Sequence, residues 1–325
     1  MAHFAFLMDP LDSLALKKDS TLAMIRAAQL RGHAVSYFTL ADMSYMRGRT
    51  VATARRLHLR DDFAASLDYT LAGRDWYRLS DPVRTDLSAF DVVMMRKDPP
   101  FDMEYVYATY FLERAAEAGV MVVNNPRSLR DCNEKFFATA FADCCPPLIV
   151  SRSMDEIREF HAEYGDVVLK KLDGMGGMNI FRVRADDPNL NVILETLTRR
   201  ETELVMAQRY LPAIRDGDKR ILMIDGQPVP YCLARIPKSG ESRGNLAAGG
   251  TGEGRPLTAR DREIAEKTGP ELVRRGLTFV GLDVIGDHLT EVNVTCPTCI
   301  RELDAQFGLD IAGTLIETLV RKLGV

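Results

Sequence analysis

Over the first 125 residues, short apolar runs alternate with stretches whose apolar residues recur at helical spacing. The apolar runs predict strands at His3–Met8, Ala34–Leu40, Phe90–Met95 and Val120–Asn124. The stretches between them predict helices at Ser20–Arg31 and Tyr105–Ala118. This alternation is typical of a largely parallel sheet with helices on its faces, and ligands bind at the carboxyl ends of such strands. Asp9 and the polar run Arg96–Asp98 follow two of these strands.

The pattern changes after Pro126. Ser128–Asp143 predicts a single helix, which Pro146 and Pro147 would end. From Asp166 onward strands dominate, and they are joined by glycine-rich loops. The segment between Ile236 and Gly254 has six glycines and few apolar residues. Structureless segments of this length are uncommon in compact domains and often act as active-site lids, so we expect a mobile lid here.

The segment Asp166–Val183 carries the first chemical signal. An apolar strand ends in Lys170 and Lys171, and the loop that follows contains three glycines, Gly174, Gly176 and Gly177. Glycines let backbone N–H groups approach phosphate oxygens, and a nearby lysine neutralises their charge. The loop leads into a strand and lacks the GxxxxGK[ST] order, so it is neither a P-loop nor a dinucleotide fingerprint. A hairpin without a ligand is the alternative, and strand alternation leaves open which lysine faces inward.

The segment Phe279–Val294 carries the second signal, a pair of apolar strands flanking Gly286–His288. If the turn has three residues, Asp283 lies directly across from Glu291, and Asn293 shares their parity. Two carboxylates so close would repel unless a cation neutralised them, and a hard ion such as Mg²⁺ prefers these oxygen ligands. A solvated hairpin face is the alternative, but it does not explain acids and an amide among Val and Ile.

Composition narrows the function classes. The chain has 325 residues, of which 46% are hydrophobic and 27% charged, and a net charge of −4. Nucleic-acid-binding domains normally carry a basic excess, so this partner is not expected. No apolar stretch approaches the roughly 18 residues that cross a bilayer, and Met1–Pro10 predicts a strand and not a signal peptide. Six cysteines in a chain of this size indicate reduced thiols and a cytoplasmic protein.

The spacing of Cys296 and Cys299 matches a C-x-x-C redox motif. The motif follows the acidic hairpin and does not open the helix of a thioredoxin-like unit, and the sequence has no second C-x-x-C for a zinc site. We therefore do not expect redox chemistry. Three arginines lie near the expected lid: Arg220 precedes a predicted strand, Arg235 ends the next strand, and Arg243 lies in the lid segment itself. Arginine forks match phosphate oxygens in pairs, whereas the alternative is ordinary surface arginine.

Together these features resemble the ATP-grasp superfamily and, within it, the prokaryotic glutathione synthetase family. The likeness covers essentially the whole chain. The matching stretches are Met95–Asp102, Asn133–Lys135, Leu172–Gly177, Asp216–Arg220, Pro230–Pro237, Arg243–Gly250 and Glu291–Thr295. The resemblance implies an α/β protein with α+β subdomains, in which an ATP-grasp fold follows an N-terminal parallel-sheet domain. It implies boundaries at 1–125, 126–205 and 206–325, the last containing the metal site and the lid.

The resemblance also implies roles for individual residues. The nucleotide would contact Lys135, Lys170, Gly174, Gly176, Gly177, Gln208, Tyr210, Leu211 and Asp218. Mg²⁺, or Mn²⁺ in its place, would be held by Asp283, Glu291 and Asn293. The catalytic arginines would be Arg220, Arg235 and Arg243, and the substrates would contact Arg96 and Asn245.

The activity implied is the ATP-dependent ligation of γ-glutamylcysteine and glycine through an acyl phosphate, giving glutathione, ADP and phosphate, in a homotetramer. Two alternatives stay open. A related ATP-grasp ligase would join another carboxylate to another amine. A non-catalytic regulator would bind ATP without releasing ADP, although the intact acidic triplet speaks against it.

Overall fold

The computed structural model describes residues 1–66, 76–238, 244, 246 and 249–324. These residues form three sheets with helices packed against them. No helix in the described part of the chain is long and apolar enough to cross a membrane.

The first sheet is built on the predicted parallel strands. Its strands are β1 (His3–Met8), β2 (Ala34–Phe38), β3 (Met43–Met46), β4 (Arg49–Leu59), β5 (Tyr77–Leu79), β6 (Val83–Asp86), β7 (Val92–Arg96) and β8 (Met121–Val123). The order β2-β1-β7-β8 is parallel throughout, which confirms the prediction for these four strands. Beyond β2 the sheet continues antiparallel through β4, which pairs with β3, β5 and β6. This antiparallel extension was not predicted.

Helices α1 (Ser20–Leu30), α2 (Asp61–Ser66), α3 (Met103–Glu117) and α4 (Pro126–Asp131) accompany the first sheet. Two of them begin at aspartate caps. The backbone N–H of Leu22 donates to Asp19 Oδ1 at 2.6 Å, and that of Tyr105 donates to Asp102 Oδ1 at 2.9 Å. Each cap satisfies an amide that the first helical turn leaves unpaired, which fixes where the helix starts.

The single helix predicted at Ser128–Asp143 is wrong. Helix α4 ends at Asp131, and a 3₁₀ segment covers Phe137–Cys144. At the break, Asn133 Oδ1 accepts from the N–H groups of Lys135 and Phe136, at 3.2 and 3.0 Å. An asparagine side chain that bonds nearby amides offers the backbone an alternative to helix, so the chain turns here.

The second sheet is antiparallel, in the order β11-β10-β12-β9. Its strands are β9 (Leu148–Ser151), β10 (Val167–Lys171), β11 (Ile180–Val183) and β12 (Val205–Arg209). Helices α5 (Met154–Tyr164) and α6 (Leu190–Leu197) cover one face and enclose a small core of their own, which includes Ile157, Leu169 and Leu194.

The third sheet is also antiparallel, in the order β15-β14-β13-β16-β17. Its strands are β13 (Asp218–Ile224), β14 (Gln227–Ile236), β15 (Thr251–Pro256), β16 (Phe279–Ile285) and β17 (His288–Asn293). Helices α7 (Ala259–Arg274), α8 (Ile300–Phe307) and α9 (Ile311–Leu323) pack on it. The segment expected to be a lid connects β14 to β15, and most of it lies outside the described residues.

The first and third sheets share their hydrophobic cores. One core contains both Phe6 and Leu222, and the other contains both Leu7 and Val280. Asn124 adds a polar connection, because its Nδ2 donates to the carbonyls of Phe279 and Val294 at 2.8 and 2.7 Å. The strand ends of the first sheet are therefore held against the third sheet. The domain boundaries implied by the resemblance stay a prediction.

Candidate active site

A cavity of about 500 Å³ lies among the three sheets, and strand ends and loops line it. It brings together almost every candidate residue: Arg96, Lys135, Lys170, Gly174, Gly176, Gly177, Gln208, Tyr210, Leu211, Asp218, Arg220, Arg235, Asp283, Glu291 and Asn293. Arg243 and Asn245 lie outside the described residues. The candidates come from distant parts of the sequence, so the fold itself assembles the site.

Two buried lysines converge on Glu291 in this cavity. Lys170 Nζ lies 3.5 Å and Lys135 Nζ 3.7 Å from Glu291 Oε1, and Lys135 also donates to the carbonyl of Gly174. Burial lowers the pKa of Lys170, although Glu291 opposes the shift. Two lysine ammonium groups beside each other in one cavity suit the binding of a polyphosphate.

Lys170 faces the cavity and Lys171 does not, because their side chains point to opposite faces of β10. Lys170 is 4% exposed and lines the cavity. Lys171 Nζ instead pairs with Glu203 at 2.6 Å. Neighbouring side chains on a strand point to opposite faces, so only one of the two lysines can reach the site.

The acidic hairpin has the predicted pairing but a different turn. Asp283 lies opposite Glu291, and Asn293 lies opposite Gly281. The three-residue turn is wrong, because Ile285 pairs with His288 and leaves only Gly286 and Asp287 between the strands. His288 is therefore the first residue of β17 and not a turn residue.

A bulge at Thr290 reconciles the shorter turn with the predicted pairing. The register shifts between the pairs Asp283–Glu291 and Val284–Leu289, so Thr290 is the extra residue. Its Oγ1 donates to the carbonyl of Asp283 at 3.1 Å. Bulges re-aim side chains next to active sites, and this one returns Glu291 to the position opposite Asp283.

Four charged side chains, three of them buried, form an ion-pair chain beside the hairpin. Arg220 Nε and Nη2 contact the Asp283 oxygens at 2.5 and 3.0 Å. Arg235 Nη2 bridges Asp283 Oδ2 at 2.9 Å and Asp218 Oδ2 at 2.5 Å. Burial alone would raise the pKa of Asp283, but the two guanidiniums hold it well below its usual range. A carboxylate so strongly held stays ionised under all ordinary conditions.

The pKa of Asp218 is raised, in contrast to that of Asp283. Burial raises its pKa to about 7, and the charges of Asp283 and Glu291 add to the shift while Arg235 opposes it. Its second oxygen, Oδ1, is buried and has no hydrogen-bond partner among the described residues. Buried polar atoms are normally paired, so this oxygen is an acceptor available to a ligand group.

The hairpin residues fit a divalent cation by the chemistry of their donors. Asp283, Glu291 and Asn293 offer carboxylate and amide oxygens, which Mg²⁺ and Mn²⁺ prefer over nitrogen or sulfur. No group of three or more His, Cys, Asp or Glu arranged for a metal occurs in the described residues. The expected set is compatible with this finding, because it has only two carboxylates and an amide. The metal site stays a prediction.

Aromatic and apolar groups line the end of the cavity formed by the second sheet. Val168, Ile180, Tyr210 and Leu211 line it together with Gln208. The backbone N–H of Tyr210 donates to the carbonyl of Asp166 at 2.9 Å, which ties the segment after β12 to the start of β10. A mostly apolar pocket with a few polar groups suits a purine base.

Arg182 was missed by the sequence reasoning, and it lines the same end of the cavity. Its guanidinium lies 3.6 Å from the centre of the Tyr210 ring, and its Nε and Nη2 contact Asp166 at 3.0 and 2.5 Å. The only sequence signal was its position on the strand after the glycine loop, opposite Val168.

Arg96 anchors the side of the cavity formed by the first sheet. It is 4% exposed, and its Nε and Nη2 donate to Thr21 Oγ1 at 3.1 Å and the Pro297 carbonyl at 3.0 Å. Cys296 Sγ donates to the carbonyl of Arg96 at 3.4 Å. Burial raises the pKa of Cys296 to about 12, so its thiol stays protonated at neutral pH.

The two cysteines of the C-x-x-C spacing carry thiols with raised pKa values. All six cysteines are free, and Cys299 is the buried N-cap of α8. The motif therefore directly precedes a helix, which the sequence reasoning did not foresee. A redox-active pair needs an exposed thiolate of lowered pKa, whereas burial raises the pKa of both thiols here.

Comparison with known proteins extends these findings. A family model described as the prokaryotic glutathione synthetase ATP-grasp domain matches residues 134–308, and one described as the N-terminal domain matches residues 2–130. The chain is 59% identical over 321 residues to the glutathione synthetase of Pseudomonas putida, covering 99% of this chain and 98% of that protein. It is 52% identical over 324 residues to that of Shewanella oneidensis, covering all of both chains.

Solved structures show the same fold at low identity. D-cycloserine synthetase DcsG superposes with a TM-score of 0.66 at 15% identity, covering 98% of this chain and 99% of that one. The ATP-grasp ligase PsnB in complex with precursor peptide PsnA2 and AMPPNP superposes with a TM-score of 0.62 at 18% identity, covering 100% and 99%. These matches confirm the predicted ATP-grasp fold.

Proposed function

Because the chain belongs to the prokaryotic glutathione synthetase family and is an ATP-dependent ligase, we propose that its cavity joins γ-glutamylcysteine to glycine with the residue roles described below. The cysteinyl carboxylate attacks the γ-phosphorus of ATP, which forms an acyl phosphate and releases ADP. The amine of glycine then attacks the acyl carbon and loses a proton, and phosphate leaves as the amide bond of glutathione forms.

The nucleotide binds between the second and third sheets in this proposal. Lys135 and Lys170 neutralise the phosphates, and the loop of Gly174, Gly176 and Gly177 approaches them through its backbone. This assignment is supported by the two buried lysines that face Glu291 in the cavity. Gln208, Tyr210 and Leu211 line the base pocket. Asp218 Oδ1, which has no hydrogen-bond partner among the described residues, accepts a hydrogen bond from a hydroxyl of the nucleotide.

Asp283, Glu291 and Asn293 would hold Mg²⁺ or Mn²⁺. When bound, the cation neutralises phosphate charge and orients the transferred group. Arg220 and Arg235 border the same region and offset negative charge on the acyl phosphate and on the tetrahedral intermediate. Arg243 is proposed as a third arginine with this role, and we call Arg220, Arg235 and Arg243 the arginine clamp.

The first sheet supplies the peptide subsite. Arg96 is buried at a strand end, and Thr21 and Pro297 hold it there, which supports a role in binding the substrate carboxylate. Asn245 is proposed as a further substrate contact. The segment between β14 and β15 closes over the site, because water would hydrolyse an acyl phosphate.

The observation that carries the proposal is that buried lysines, glycine loop, arginines and acidic hairpin all border one cavity. The test is incubation of the purified protein with Mg-ATP, γ-glutamylcysteine and glycine, with each component omitted in turn. We expect ADP release that needs both substrates, together with a product of glutathione mass. ADP release only with other carboxylate–amine pairs would indicate a different ligase, and ATP binding without turnover would indicate a regulator.

The cellular location and the oligomeric state of the protein are also part of the proposal. We propose a cytoplasmic homotetramer, a location supported by the six free cysteines. Light scattering coupled to size-exclusion chromatography measures the assembly directly. A monomeric or dimeric mass at working concentration would overturn the tetramer without affecting the assigned activity.

A further inference from the structure

The carboxylate of Glu134 accepts hydrogen bonds from the two residues that follow the proposed metal ligand Asn293. Its Oε1 accepts from the backbone N–H of Val294 at 2.9 Å, from that of Thr295 at 3.0 Å, and from Thr295 Oγ1 at 2.8 Å. One carboxylate oxygen therefore fixes two consecutive amides and a hydroxyl at the end of β17.

The backbone of Glu134 holds the same strand on the other side of Asn293. The N–H of Val292 donates to the Glu134 carbonyl at 2.8 Å. Glu134 thus contacts the residues before and after Asn293. Glu291 directly precedes the first of these, Val292. Strand β17 cannot slide or tilt at this point without breaking four hydrogen bonds.

The two neighbours of Glu134 reach the glycine loop. Asn133 Nδ2 donates to the Leu172 carbonyl at 3.1 Å, and Lys135 Nζ donates to that of Gly174. Three consecutive residues therefore connect the proposed phosphate loop of the second sheet to the proposed metal strand of the third. The break in the helix predicted at Ser128–Asp143 is what presents these side chains in opposite directions.

We propose that Glu134 is a positioning residue, which sets the distance of Asn293 and Glu291 from Lys135 and the glycine loop. The inference rests on the proposed function, because it assigns Glu134 to the geometry of that metal and phosphate site. Supporting groups of this kind orient the ligands of a metal, and their loss weakens metal binding as well as turnover.

Position, and not charge, is what Glu134 supplies. In the described part of the chain it forms no ion pair, whereas Glu291 beside it faces two lysines. All its side-chain partners are donors to a single oxygen, and a glutamine amide oxygen of the same reach can accept them. An aspartate keeps the charge but withdraws the oxygen by one carbon.

The test compares Glu134→Gln, Glu134→Asp and Glu134→Ala with the wild type, and uses exposed Glu159→Ala as a matched control. Binding of Mn²⁺ to the ADP complex is measured by electron paramagnetic resonance, and binding of ADP alone by calorimetry in EDTA. The kcat and the KM for ATP complete the set, and far-UV circular dichroism checks folding. If Glu134→Ala does not fold, the Gln and Asp variants decide the question between them.

We expect Glu134→Gln to stay within about threefold of the wild type, since its bonds lose only their charge assistance. Glu134→Asp and Glu134→Ala should raise the Kd for Mn²⁺ and lower kcat by about 10- to 100-fold, while metal-free ADP binding is unchanged. Gln and Asp variants in the reverse order, or an Asp variant equal to the wild type, would overturn the inference. A wild type that binds no Mn²⁺ would overturn it together with the metal assignment. A wild type that binds Mn²⁺ but ligates nothing would overturn the proposed function alone.

Discussion

Arg220 and Asp283 lie opposite each other on β13 and β16, and Arg220 Nε and Nη2 meet the two oxygens of Asp283 at 2.5 and 3.0 Å. Both side chains are buried, at 7% and 4% exposure. A proposed metal ligand is therefore paired with a proposed catalytic arginine in the middle of the sheet. The energetic consequence is large, because a buried carboxylate tolerates the loss of a cationic partner poorly.

Arg220→Ala should lower the free energy of unfolding by about 3 kcal/mol, since Arg235 alone then neutralises the buried Asp283. The measurement is urea unfolding followed by circular dichroism. Arg49→Ala is the control, because Arg49 is 74% exposed and pairs with Asp86 at 3.3 Å. Its loss should cost less than about 1 kcal/mol. Equal effects of the two variants would contradict the assigned importance of the buried pair.

The pairing of Asp283 with Glu291 across the two strands could be predicted from strand alternation. The turn and the bulge that produce this pairing were not predicted. Strand alternation restricts which residues share a face, so the acidic set was visible in the sequence. The two-residue turn and the Thr290 bulge offset each other. The Gly286–Asp287 pair is a signal for such a turn that the prediction did not use, whereas the bulge has no separate signal in the sequence. The prediction was therefore right about the pair and wrong about the turn.

Helix periodicity failed at Asn133 for a different reason. The apolar spacing continues through the predicted helix, but Asn133 bonds the amides of Lys135 and Phe136 and ends it. Local side-chain bonds of this kind compete with a helix only where tertiary contacts favour them, here the carbonyl of Leu172 and strand β17. Glu134 and Arg182 stayed unrecognised because their partners are far away in the sequence.

The His3 ring should make stability sensitive to mild acid. Burial lowers its pKa to about 4, Arg56 adds to the shift and Asp91 opposes it. The ring also contacts Ser36 Oγ at 2.8 Å. Because the pKa is depressed relative to the unfolded chain, the folded state binds the proton less tightly. This contribution to stability is complete above about pH 6.5 and is lost as the pH falls towards 4.

His3→Gln should therefore reduce the loss of unfolding free energy between pH 6.5 and 4 by about 1–2 kcal/mol, a value discounted for the half-exposed ring. The measurement is the urea midpoint across this range. His58→Gln is the control, because His58 is exposed on β4. A pH profile of His3→Gln that parallels the wild type would exclude His3 as the source.

Gly244 tests the contact between the proposed lid and the arginine clamp. A Cβ at Gly244 would overlap the carbonyl oxygen of Arg235 and lie 3.1 Å from Asp218 Cβ. Gly244→Ala should therefore displace the arginine and reduce kcat at least tenfold, since small misplacements at a reacting centre cost up to about 100-fold. Gly48→Ala is the control, because Gly48 has φ +80° with open space around it. It should cost stability and leave kcat unchanged, and equal kcat values would refute the steric argument.

Arg182→Ala should weaken nucleotide binding through Tyr210. The guanidinium lies 3.6 Å from the ring centre, and Asp166 holds it there. Removing it frees the ring that we assign to the base pocket, so KM for ATP should rise about three- to tenfold at constant kcat. Arg184→Ala, an exposed arginine just beyond the same strand, should have no effect. A fall in kcat with unchanged KM would place Arg182 elsewhere in the reaction cycle.

Glu291→Gln is the sharpest test of the acidic hairpin. The substitution keeps the shape of the side chain but removes the charge that faces Lys135 and Lys170 at 3.7 and 3.5 Å. It also exchanges a proposed carboxylate ligand for a weaker amide oxygen. Turnover should fall at least about 100-fold, as for the loss of other groups that stabilise transition-state charge. ADP binding in EDTA should be retained or strengthened, because the lysines are then freer to bind phosphate.

The control is Glu253→Gln, because the carboxylate of Glu253 pairs only with the neighbouring Arg255 among the described residues. Near-wild-type turnover of Glu291→Gln at saturating Mg²⁺ would rule out Glu291 as a metal ligand, and the hairpin would then serve only to neutralise the two lysines.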